Sequence, residues 1–342
     1  MRPGSVVVSE VTSQPIDQLR RPLRDLRISV TDRCNFRCTY CMPKEVFGHG
    51  YDFLPKEDIL SFEEIVRLAR VFVSLGAEKI RLTGGEPLLR RDLPQLVAML
   101  SGLDGLRDLT LTTNGSRLVE LAGALREAGL RRLTVSVDSL HEPTYRAMND
   151  VAFPLHRVLC GIDAAREAGF SPIKINAVIK RGVNDHEIPE MARHFGGSEF
   201  VLRLIEYMDV GNTNGWHLDD VVPAAVIAAR LGLEPLPARY RGEVARRFRT
   251  PAGGEIGLIA SVTAPFCADC TRARLGADGR LYTCLFAQHG YDLRQPLRSG
   301  ASDAELAAMI RRVWQAREDR YSELRATATS EVPKVEMSAI GG

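Results

Sequence analysis

The sequence predicts an α/β protein built on a parallel sheet, arranged either as a partial barrel or as an open wound sheet. Short runs rich in β-branched residues alternate with amphipathic helical patterns from residue 26 onward, and this alternation is typical of a sheet buried on both faces. About six strand–helix units are present, whereas a complete eight-stranded barrel usually takes ~250 residues. In either arrangement, functional groups collect at the carboxyl ends of the strands.

The strands are predicted from apolar runs rich in β-branched residues. They are "LRISV" (26–30), "KIRLTGG" (79–85, strand then turn), "LTLTTNG" (109–115), "RLTVSVDS" (132–139), "IKINAVI" (173–179) and "FVLRLIEYM" (200–208). The helices between them are predicted from apolar residues at helical spacing. They cover residues 61–77, 93–100, 117–130, about 155–168 and about 186–195. The first helix opens with a Ser-x-x-Glu capping box at Ser61 and Glu64.

The pattern changes after residue 208. A helix is predicted in "LDDVVPAAVIAARLG", then antiparallel strands in "RRFRTP", "EIGLIASV" and "RARLGADGRLYTCLF", and a last helix over 302–319. Residues 1–23 are expected to form a flexible arm. The tail "TATSEVPKVEMSAIGG" has no periodicity, so it is expected to be mobile.

Composition restricts the class of protein. Of the 342 residues, 45% are hydrophobic and 26% are charged, and the net charge is +2. These values are typical of a soluble globular protein and argue against a general nucleic-acid or membrane-surface binder. Neither a secretory signal nor an apolar stretch of membrane-spanning length is recognised. A cytoplasmic location is therefore expected, where clustered cysteines more often bind metal than form disulfides.

Three cysteines follow the first strand at the spacing C-x3-C-x2-C, at Cys34, Cys38 and Cys41. Thiolates on one short loop can bind three irons of a cubane iron–sulfur cluster and leave the fourth iron open to a small molecule. A structural zinc site, in contrast, requires four ligands. His49 is the nearest candidate for a fourth ligand, but it lies beyond a proline and within a stretch bounded by glycines. The spacing favours the cluster and leaves zinc as the alternative.

A second set of three cysteines, Cys267, Cys270 and Cys284, lies near the carboxyl end of the chain. The dipeptide Asp278-Gly279 predicts a two-residue hairpin turn, which pairs residue 277 with 280 and brings Cys284 beside the C-x2-C pair. The alternative is a zinc ribbon that lacks one ligand. Cys160 lies in a helical stretch and is expected to be buried and inert.

Basic residues accompany the second set of cysteines. Arg272 and Arg274 alternate along a predicted strand and therefore share a face, and paired arginines suit phosphate oxygens. Arg27, Arg81 and Lys174 lie on or near other strands of the same sheet. Convergence of these five cations would predict a polyphosphate substrate.

At this point the sequence resembles a known family. "CNFRCTYC" and "LTGGEP" (82–87) resemble the two signatures of the radical S-adenosylmethionine (SAM) superfamily. In the second, Gly84 and Gly85 would let an ammonium group of a ligand approach backbone carbonyls. "LTTNG", "VSVDS", "EYMDVG", "CADCTRARL" with the later cysteine, and the terminal "MSAIGG" narrow the resemblance to the GTP 3′,8-cyclase family, from about Leu26 to Gly342.

The resemblance implies an incomplete (β/α)6 TIM-like barrel over residues 24–210 and a C-terminal auxiliary-cluster and substrate region over 211–325. It also implies a tail over 326–342 whose terminal Gly-Gly reaches the active site. Two [4Fe–4S] clusters are implied. Cys34, Cys38 and Cys41 would hold the cluster that binds SAM; Cys267, Cys270 and Cys284 would hold a second cluster that meets the guanine base.

The resemblance also implies ligand contacts and an activity. SAM contacts fall on Tyr40, Gly85, Ser136 and Met208. GTP contacts fall on Arg27, Arg81, Thr112, Lys174, Arg272 and Arg274, with Arg203 a further candidate near SAM. A 5′-deoxyadenosyl radical would remove the ribose H3′, and the C3′ radical would add to guanine C8. The product would be (8S)-3′,8-cyclo-7,8-dihydroguanosine 5′-triphosphate, the first intermediate of molybdenum cofactor biosynthesis.

The implied partners are GTP, a one-electron reductant, a cyclic pyranopterin monophosphate synthase that takes the product, and a second copy of the chain. No nucleic acid or membrane is expected. Two alternatives remain: a radical SAM maturase that modifies a peptide and carries an auxiliary cluster, and a zinc-stabilised binding module without chemistry. Maturases usually have more cysteines in their C-terminal region, and a peptide gives no reason for the set of cations.

Overall fold

A computed structural model describes residues 14–325 and 333–341. The predicted strand–helix alternation forms a parallel sheet in which six strands are neighbours in chain order. These strands are β1 (Asp25–Ser29), β2 (Lys79–Thr83), β3 (Asp108–Thr113), β4 (Arg132–Ser136), β5 (Ile173–Ile179) and β6 (Phe200–Glu206). The α/β fold class predicted from the sequence is therefore confirmed.

Six helices follow these strands in the same part of the chain. They are α1 (Phe62–Ser74), α2 (Leu93–Ser101), α3 (Leu118–Glu127), α4 (Glu142–Asn149), α5 (Leu155–Glu167) and α6 (Ile188–His194). Helices α1, α2, α3 and α5 pack in succession, and their apolar residues join those of the strands in one core. The predicted capping box is confirmed, because the Ser61 side chain accepts from the Glu64 amide and the Glu64 carboxylate accepts from the Ser61 amide.

The C-terminal half adds strands to both ends of this sheet. They are β7 (Glu234–Pro235), β8 (Arg246–Arg249), β9 (Glu255–Ile259), β10 (Arg272–Leu275), β11 (Arg280–Tyr282) and β12 (Tyr291–Asp292). The antiparallel pairs β8–β9 and β10–β11 were predicted. The structure also pairs β9 parallel with β6 and β10 parallel with β1. Eight parallel strands thus form one continuous run, and the second set of cysteines is joined directly to β1.

The remaining helices are α7 (Ala224–Arg230), α8 (Arg294–Arg298), α9 (Asp303–Gln315), α10 (Tyr321–Leu324) and α11 (Met337–Ile340). Helix α11 lies in the tail, for which no regular structure was predicted, and it buries Ser338 and Ile340. Within the described residues, no helix is both long and apolar enough to cross a membrane.

The predicted turn of the β10–β11 hairpin is wrong by one residue. The strands pair Arg274 with Tyr282 and Leu275 with Leu281, so residues 277–279 form a three-residue loop. Gly279 takes a φ of 78°, the left-handed conformation that ends a common three-residue hairpin loop. Cys284 still returns to the side of Cys270, because Arg317 donates both to the Cys270 carbonyl oxygen and to that of Thr283, the residue before Cys284.

The prediction that Cys160 is buried is also wrong, because this residue is exposed. Helix α5 buries Leu155, Val158, Ile162 and Ala165 at helical spacing, and position 160 falls outside that stripe. At the amino end, residues 1–13 of the expected flexible arm lie outside the described residues. The boundaries placed after residues 23, 210 and 325 remain predictions.

Candidate active site

One cavity of about 300 Å³ lies inside the curved sheet. Every residue predicted for SAM, GTP or metal binding lines it. The metal candidates are Cys34, Cys38, Cys41, Cys267, Cys270 and Cys284; the ligand candidates are Arg27, Tyr40, Arg81, Gly85, Thr112, Ser136, Lys174, Met208, Arg272 and Arg274, together with Arg203. The structure therefore brings these residues together, and the role of each residue stays a prediction.

The first set of cysteines lies on the loop after β1. The Arg37 guanidinium donates to the carbonyl oxygens of Cys34 and Phe47, both at 2.8 Å, and so fixes the course of the loop. Burial raises the pKa of the Cys34 thiol to about 12. Burial also raises the pKa of Cys38 and of Cys41, and the neighbouring cysteines raise both further. Three buried thiols that oppose one another's ionisation need a bound cation before they can become thiolates together.

The thiols of Cys34, Cys38 and Cys41 all line the cavity from one short loop. Among the described residues, no three His, Cys, Asp or Glu side chains are placed to share one metal ion. A cubane makes no such demand, because each thiolate binds a different iron. Three buried thiols on one short loop are the donor set that such a cluster requires, and the cluster on these cysteines stays a prediction.

Gly84 and Gly85 pack against this cysteine loop. Gly84 has a φ of 151°, and a Cβ there would lie 2.5 Å from the Thr31 carbonyl oxygen. A Cβ at Gly85 would lie 2.3 Å from the carbonyl oxygen of Arg33. The sequence reasoning assigned these glycines to ligand approach alone. The structure adds that only glycine lets the turn after β2 contact the loop.

Glu86, which the sequence reasoning left without a role, joins this turn to the end of β3. Its carboxylate accepts from the Thr113 hydroxyl at 2.6 Å and from the Asn114 amide at 2.7 Å, and burial raises its pKa to about 7. The Asn114 side chain donates to the Asn35 side chain at 2.9 Å. The network fixes the second signature against the first.

Tyr40 is held by a buried acid. Its hydroxyl donates to Asp138 Oδ2 at 2.8 Å, and the Val178 amide donates to Asp138 Oδ1 at 2.8 Å. Burial raises the pKa of Asp138 to about 6. The Tyr40 ring is therefore fixed on the cavity wall beside Cys38 and Cys41. Asp138 was not predicted as a site residue, although it lies in the quoted "VSVDS".

The second set of cysteines has a different electrostatic environment. Burial would raise the pKa of the Cys270 thiol, but Arg272 and Arg317 lower it to about 6. Burial raises the pKa of Cys284 to about 11. The Arg272 guanidinium also lies 5.1 Å from the centre of the Phe266 ring. Cationic neighbours thus favour the thiolate at one of the three cysteines before any metal binds.

Cationic side chains on adjacent strands form one wall of the cavity. Arg274, Arg27 and Arg81 occupy matched positions on the adjacent strands β10, β1 and β2, so their side chains project side by side into the cavity. Burial lowers the pKa of Arg27, and Arg274, Arg272 and Arg81 lower it further. The Nε atoms of Arg27, Arg81 and Arg203 are buried and have no hydrogen-bond partner among the described residues. These unpaired donors are what an anionic ligand would satisfy.

Two further cations of the cavity were missed by sequence reasoning. Lys79 lies two residues before Arg81 on β2, and Arg132 lies four residues before Ser136 on β4; both line the cavity. Alternation along a strand was the signal that would have found them. Lys79 pairs with Asp25 at 2.5 Å, and Arg132 pairs with Asp108.

The tail enters the same region. The Arg274 guanidinium donates to the carbonyl oxygen of Gly341. Gly341 has a φ of 73°, and a Cβ there would lie 2.2 Å from Thr83 Cγ2, so this position requires glycine. Gly342, the second residue of the predicted Gly-Gly pair, lies outside the described residues.

Two family models match the chain. The Radical SAM superfamily model matches residues 28–195, and the Molybdenum Cofactor Synthesis C model matches residues 200–323. Among curated proteins, the chain is 56% identical to a GTP 3′,8-cyclase of Acidothermus cellulolyticus, over 96% of this chain and 100% of that protein. It is 50% identical to a GTP 3′,8-cyclase of Xanthomonas axonopodis pv. citri, over 97% of this chain and 100% of that protein.

One solved structure of low sequence identity shares the fold. The chain matches SuiB of Streptococcus suis bound to S-adenosylmethionine with a TM-score of 0.58 and 16% identity, over 85% of this chain and 68% of that one. It also aligns with HydG, a maturase of the [FeFe]-hydrogenase, over 48% of that chain's length with a TM-score of 0.47. The first of these similarities supports the parallel α/β barrel architecture alone.

Proposed function

The chain belongs to the GTP 3′,8-cyclase family of radical SAM enzymes, and we propose that it cyclises GTP to (8S)-3′,8-cyclo-7,8-dihydroguanosine 5′-triphosphate. This reaction is the first step of molybdenum cofactor biosynthesis. The observation that carries the proposal is that two separate sets of three cysteines and a wall of buried cations line one cavity. A nucleotide can be held there at both ends.

Membership of the radical SAM superfamily implies one [4Fe–4S] cluster and SAM. When bound, they supply a 5′-deoxyadenosyl radical that removes the ribose H3′. Cys34, Cys38 and Cys41 would hold this cluster. Tyr40, fixed by Asp138, would contact SAM together with Gly85, Ser136 and Met208.

A second [4Fe–4S] cluster on Cys267, Cys270 and Cys284 is part of the proposal. Three cysteines from one hairpin support it, because they leave one iron free for the guanine base. Arg272 and Arg317 beside Cys270 favour its thiolate. This cluster would fix the base end of GTP.

The triphosphate would lie along the cationic wall. Arg27, Arg81 and Arg274 carry charge that their environment leaves poorly compensated. The Thr112 hydroxyl lies beside them; it accepts from Arg81 at 2.7 Å, and its own hydrogen could be donated to a phosphate oxygen. Lys174, Arg203 and Arg272 extend the wall. With base and triphosphate both fixed, C3′ is held close to C8, and positioning of this kind lowers the barrier to bond formation by reducing lost entropy.

We include partners in the proposal. A one-electron reductant is needed because the SAM bond is cleaved by electron transfer. A cyclic pyranopterin monophosphate synthase would take the product, and a homodimer is expected from the family resemblance.

Anaerobic incubation of the reconstituted protein with SAM, dithionite and GTP tests the proposal. We expect 5′-deoxyadenosine whose formation depends on GTP, together with a cyclised nucleotide found by mass spectrometry. Arg272→Ala should weaken GTP binding without loss of iron. The matched control is Arg246→Ala, because Arg246 is exposed on β8.

Two results would contradict the proposal. Cleavage of SAM that does not respond to GTP would favour another substrate, such as the peptide of a maturase. Two zinc ions and no iron in anaerobically purified protein would favour the binding module without chemistry.

A further inference from the structure

A buried group of three charged residues lies behind the second set of cysteines. The Asp17 carboxylate accepts from Arg21 Nε at 2.6 Å and from Arg317 Nη1 at 3.1 Å. The three residues are 5%, 1% and 4% exposed. Asp17 and Arg21 come from the start of the described chain and Arg317 from the segment after α9. The group, named here the Asp17 clamp, therefore exists only because the fold brings both regions together.

The Asp17 clamp holds the backbone of Cys267, of Cys270 and of Thr283, which precedes Cys284. Arg21 Nη1 donates to the Cys267 carbonyl oxygen at 2.7 Å. Arg317 Nη1 donates to the Cys270 carbonyl oxygen at 2.7 Å, and Arg317 Nε donates to the carbonyl oxygen of Thr283, the residue before Cys284, at 3.0 Å. Two guanidiniums thus fix the C-x2-C turn and the returning strand relative to each other.

Arg317 also reaches a sulfur. Its Nη2 lies 3.3 Å from Cys270 Sγ as a hydrogen-bond donor. Its guanidinium lies 4.6 Å from the centre of the Trp314 ring, and Trp314 Nε1 donates to the Arg21 carbonyl oxygen at 3.0 Å. Each nitrogen of the Arg317 guanidinium therefore has a hydrogen-bond partner, and one face of the group stacks on Trp314. Moving the donor away from the sulfur would break several of these interactions at once.

A role in packing alone does not account for this arrangement. Arg317 also pairs with Asp319 Oδ2 at 3.3 Å, so the two aspartates offset the charge of the two arginines, yet Arg317 Nη2 donates to a sulfur and to no carboxylate. A thiolate at Cys270, or a cluster bound through it, is a stronger acceptor for this donor than a neutral thiol. Hydrogen bonds and positive charge at ligand sulfurs stabilise the reduced, more negative state of a cluster.

We propose that Arg317, held by Asp17 and Arg21, is a positioning residue that fixes the three cysteines for the second [4Fe–4S] cluster and raises that cluster's reduction potential. This inference rests on the second cluster of the proposed function. It assigns a task to the start of the described chain, which no motif of the sequence indicated.

The test isolates the second cluster. Cys34, Cys38 and Cys41 are all replaced by serine, and this parent protein is reconstituted anaerobically with iron and sulfide. Iron content, the electron paramagnetic resonance spectrum of the reduced cluster and its midpoint potential are then measured for the parent, Arg317→Met and Arg317→Lys. Arg325→Met is the matched control, because the Arg325 side chain is only 11% exposed and pairs with Asp209 at 2.8 Å, while its donors go to Asp209 and the Ser261 carbonyl oxygen and not to the three cysteines.

We expect Arg317→Met to have a more negative midpoint potential and altered g values, because the reduced state loses a charge and a donor. Arg317→Lys should return part of the way to the parent, since it restores the charge but not the fork of donors. Arg325→Met should match the parent. Loss of the cluster in Arg317→Met with retention in Arg317→Lys, at unchanged circular dichroism, would also support the proposal.

Unchanged potential and g values in Arg317→Met would overturn the inference and leave the second cluster intact. If both Arg317 variants fail to fold, Arg21→Met decides: it removes a cation that donates to the Cys267 carbonyl oxygen and should shift the potential in the same direction, and no shift would overturn the inference. A parent that binds no iron would overturn the second cluster of the proposed function and this inference with it.

Discussion

Lys174 on β5 provides a quantitative test of the cationic wall. Burial lowers the pKa of its ammonium to about 6, and the nearby Arg203, Arg132 and Arg81 act in the same direction. Its ordinary pKa is 10.5. The side chain is therefore largely neutral in the ligand-free protein at pH 8. A triphosphate bound beside it would favour the charged form, so binding should be coupled to proton uptake.

The number of protons follows from the pKa values. At pH 8 a group with a pKa of about 6 is charged in roughly 1% of molecules, so Lys174 should take up about one proton when GTP raises its pKa. Lys79, whose pKa burial lowers to about 8, should add up to about half a proton. Affinity for GTP should accordingly fall about tenfold for each unit of pH above 8 from Lys174 alone, because each bound GTP requires one more proton.

Isothermal titration calorimetry measures this proton uptake directly. GTP is titrated anaerobically into reconstituted protein at pH 8 in buffers that differ in ionisation enthalpy. The slope of the observed enthalpy against the buffer enthalpy gives the proton number. Lys174→Met should lower the slope by about one proton. Lys44→Met is the control, because Lys44 is 58% exposed and does not line the cavity.

A slope of zero for the parent protein would refute this reasoning, and so would equal slopes for the parent and Lys174→Met. The sign can also be checked without ligand. Because the folded-state pKa is lowered, the unfolded chain binds more protons between about pH 6 and 10.5. Lys174 should therefore make the ligand-free protein more stable as pH rises through that range.

Three further outcomes are expected. Cys284→Ser should still release 5′-deoxyadenosine from SAM but form no cyclised nucleotide, and nucleotide product at the parent level on chromatography would contradict a cluster there. Gly257→Ala places a Cβ 3.2 Å from Arg203 Cγ. The displaced Arg203 should raise the KM for GTP or SAM severalfold, while the free energy of unfolding falls by only about 1–3 kcal/mol. An unchanged KM in steady-state kinetics would contradict a ligand role for Arg203. Lys334→Met removes the ion pair between Lys334 and Asp209 at 3.1 Å and leaves the pair between Arg325 and Asp209 in place. It should speed hydrogen exchange at residues 333–341 without speeding it elsewhere, and unchanged exchange at the tail would mean that this pair does not hold it.

Local patterns predicted the first half of the fold, because each strand and helix there has an uninterrupted period. The helix α4 was missed because it has only eight residues and begins after a Ser-Leu-His turn with Pro143 in its first turn. The parallel pairing of β9 with β6 and of β10 with β1 was missed for another reason. The sequence around β9 and β10 indicates only local hairpins. A hairpin pattern does not indicate which distant strand will pair with the free edge of the hairpin.

The sequence predicted the residues that line the cavity better than the residues that hold those side chains in place. The six clustered cysteines and most of the strand-borne cations were found because motif spacing and position on a predicted strand mark them directly, whereas Lys79 and Arg132 on those strands were missed. Groups that act on those residues were not found. Asp17 and Arg317 are 300 residues apart, and only the joining of β10 to β1 brings their two regions together behind the cysteines. Such contacts depend on topology, so no short stretch of sequence contains their signal.

The charge of the barrel interior also bears on the choice between a nucleotide and a peptide. Burial lowers the pKa of Arg203 and of Arg274 to about 10, and neighbouring arginines act in the same direction. The free protein therefore holds like charges together in a place where water screens them poorly, which disfavours the folded state. A triphosphate relieves this repulsion over several side chains at once, whereas a peptide of ordinary composition would bury the same cations without neutralising them. The charge of the cavity thus selects a triphosphate over a peptide independently of any contact to the base. This selectivity favours a cyclase over a peptide maturase on the same fold.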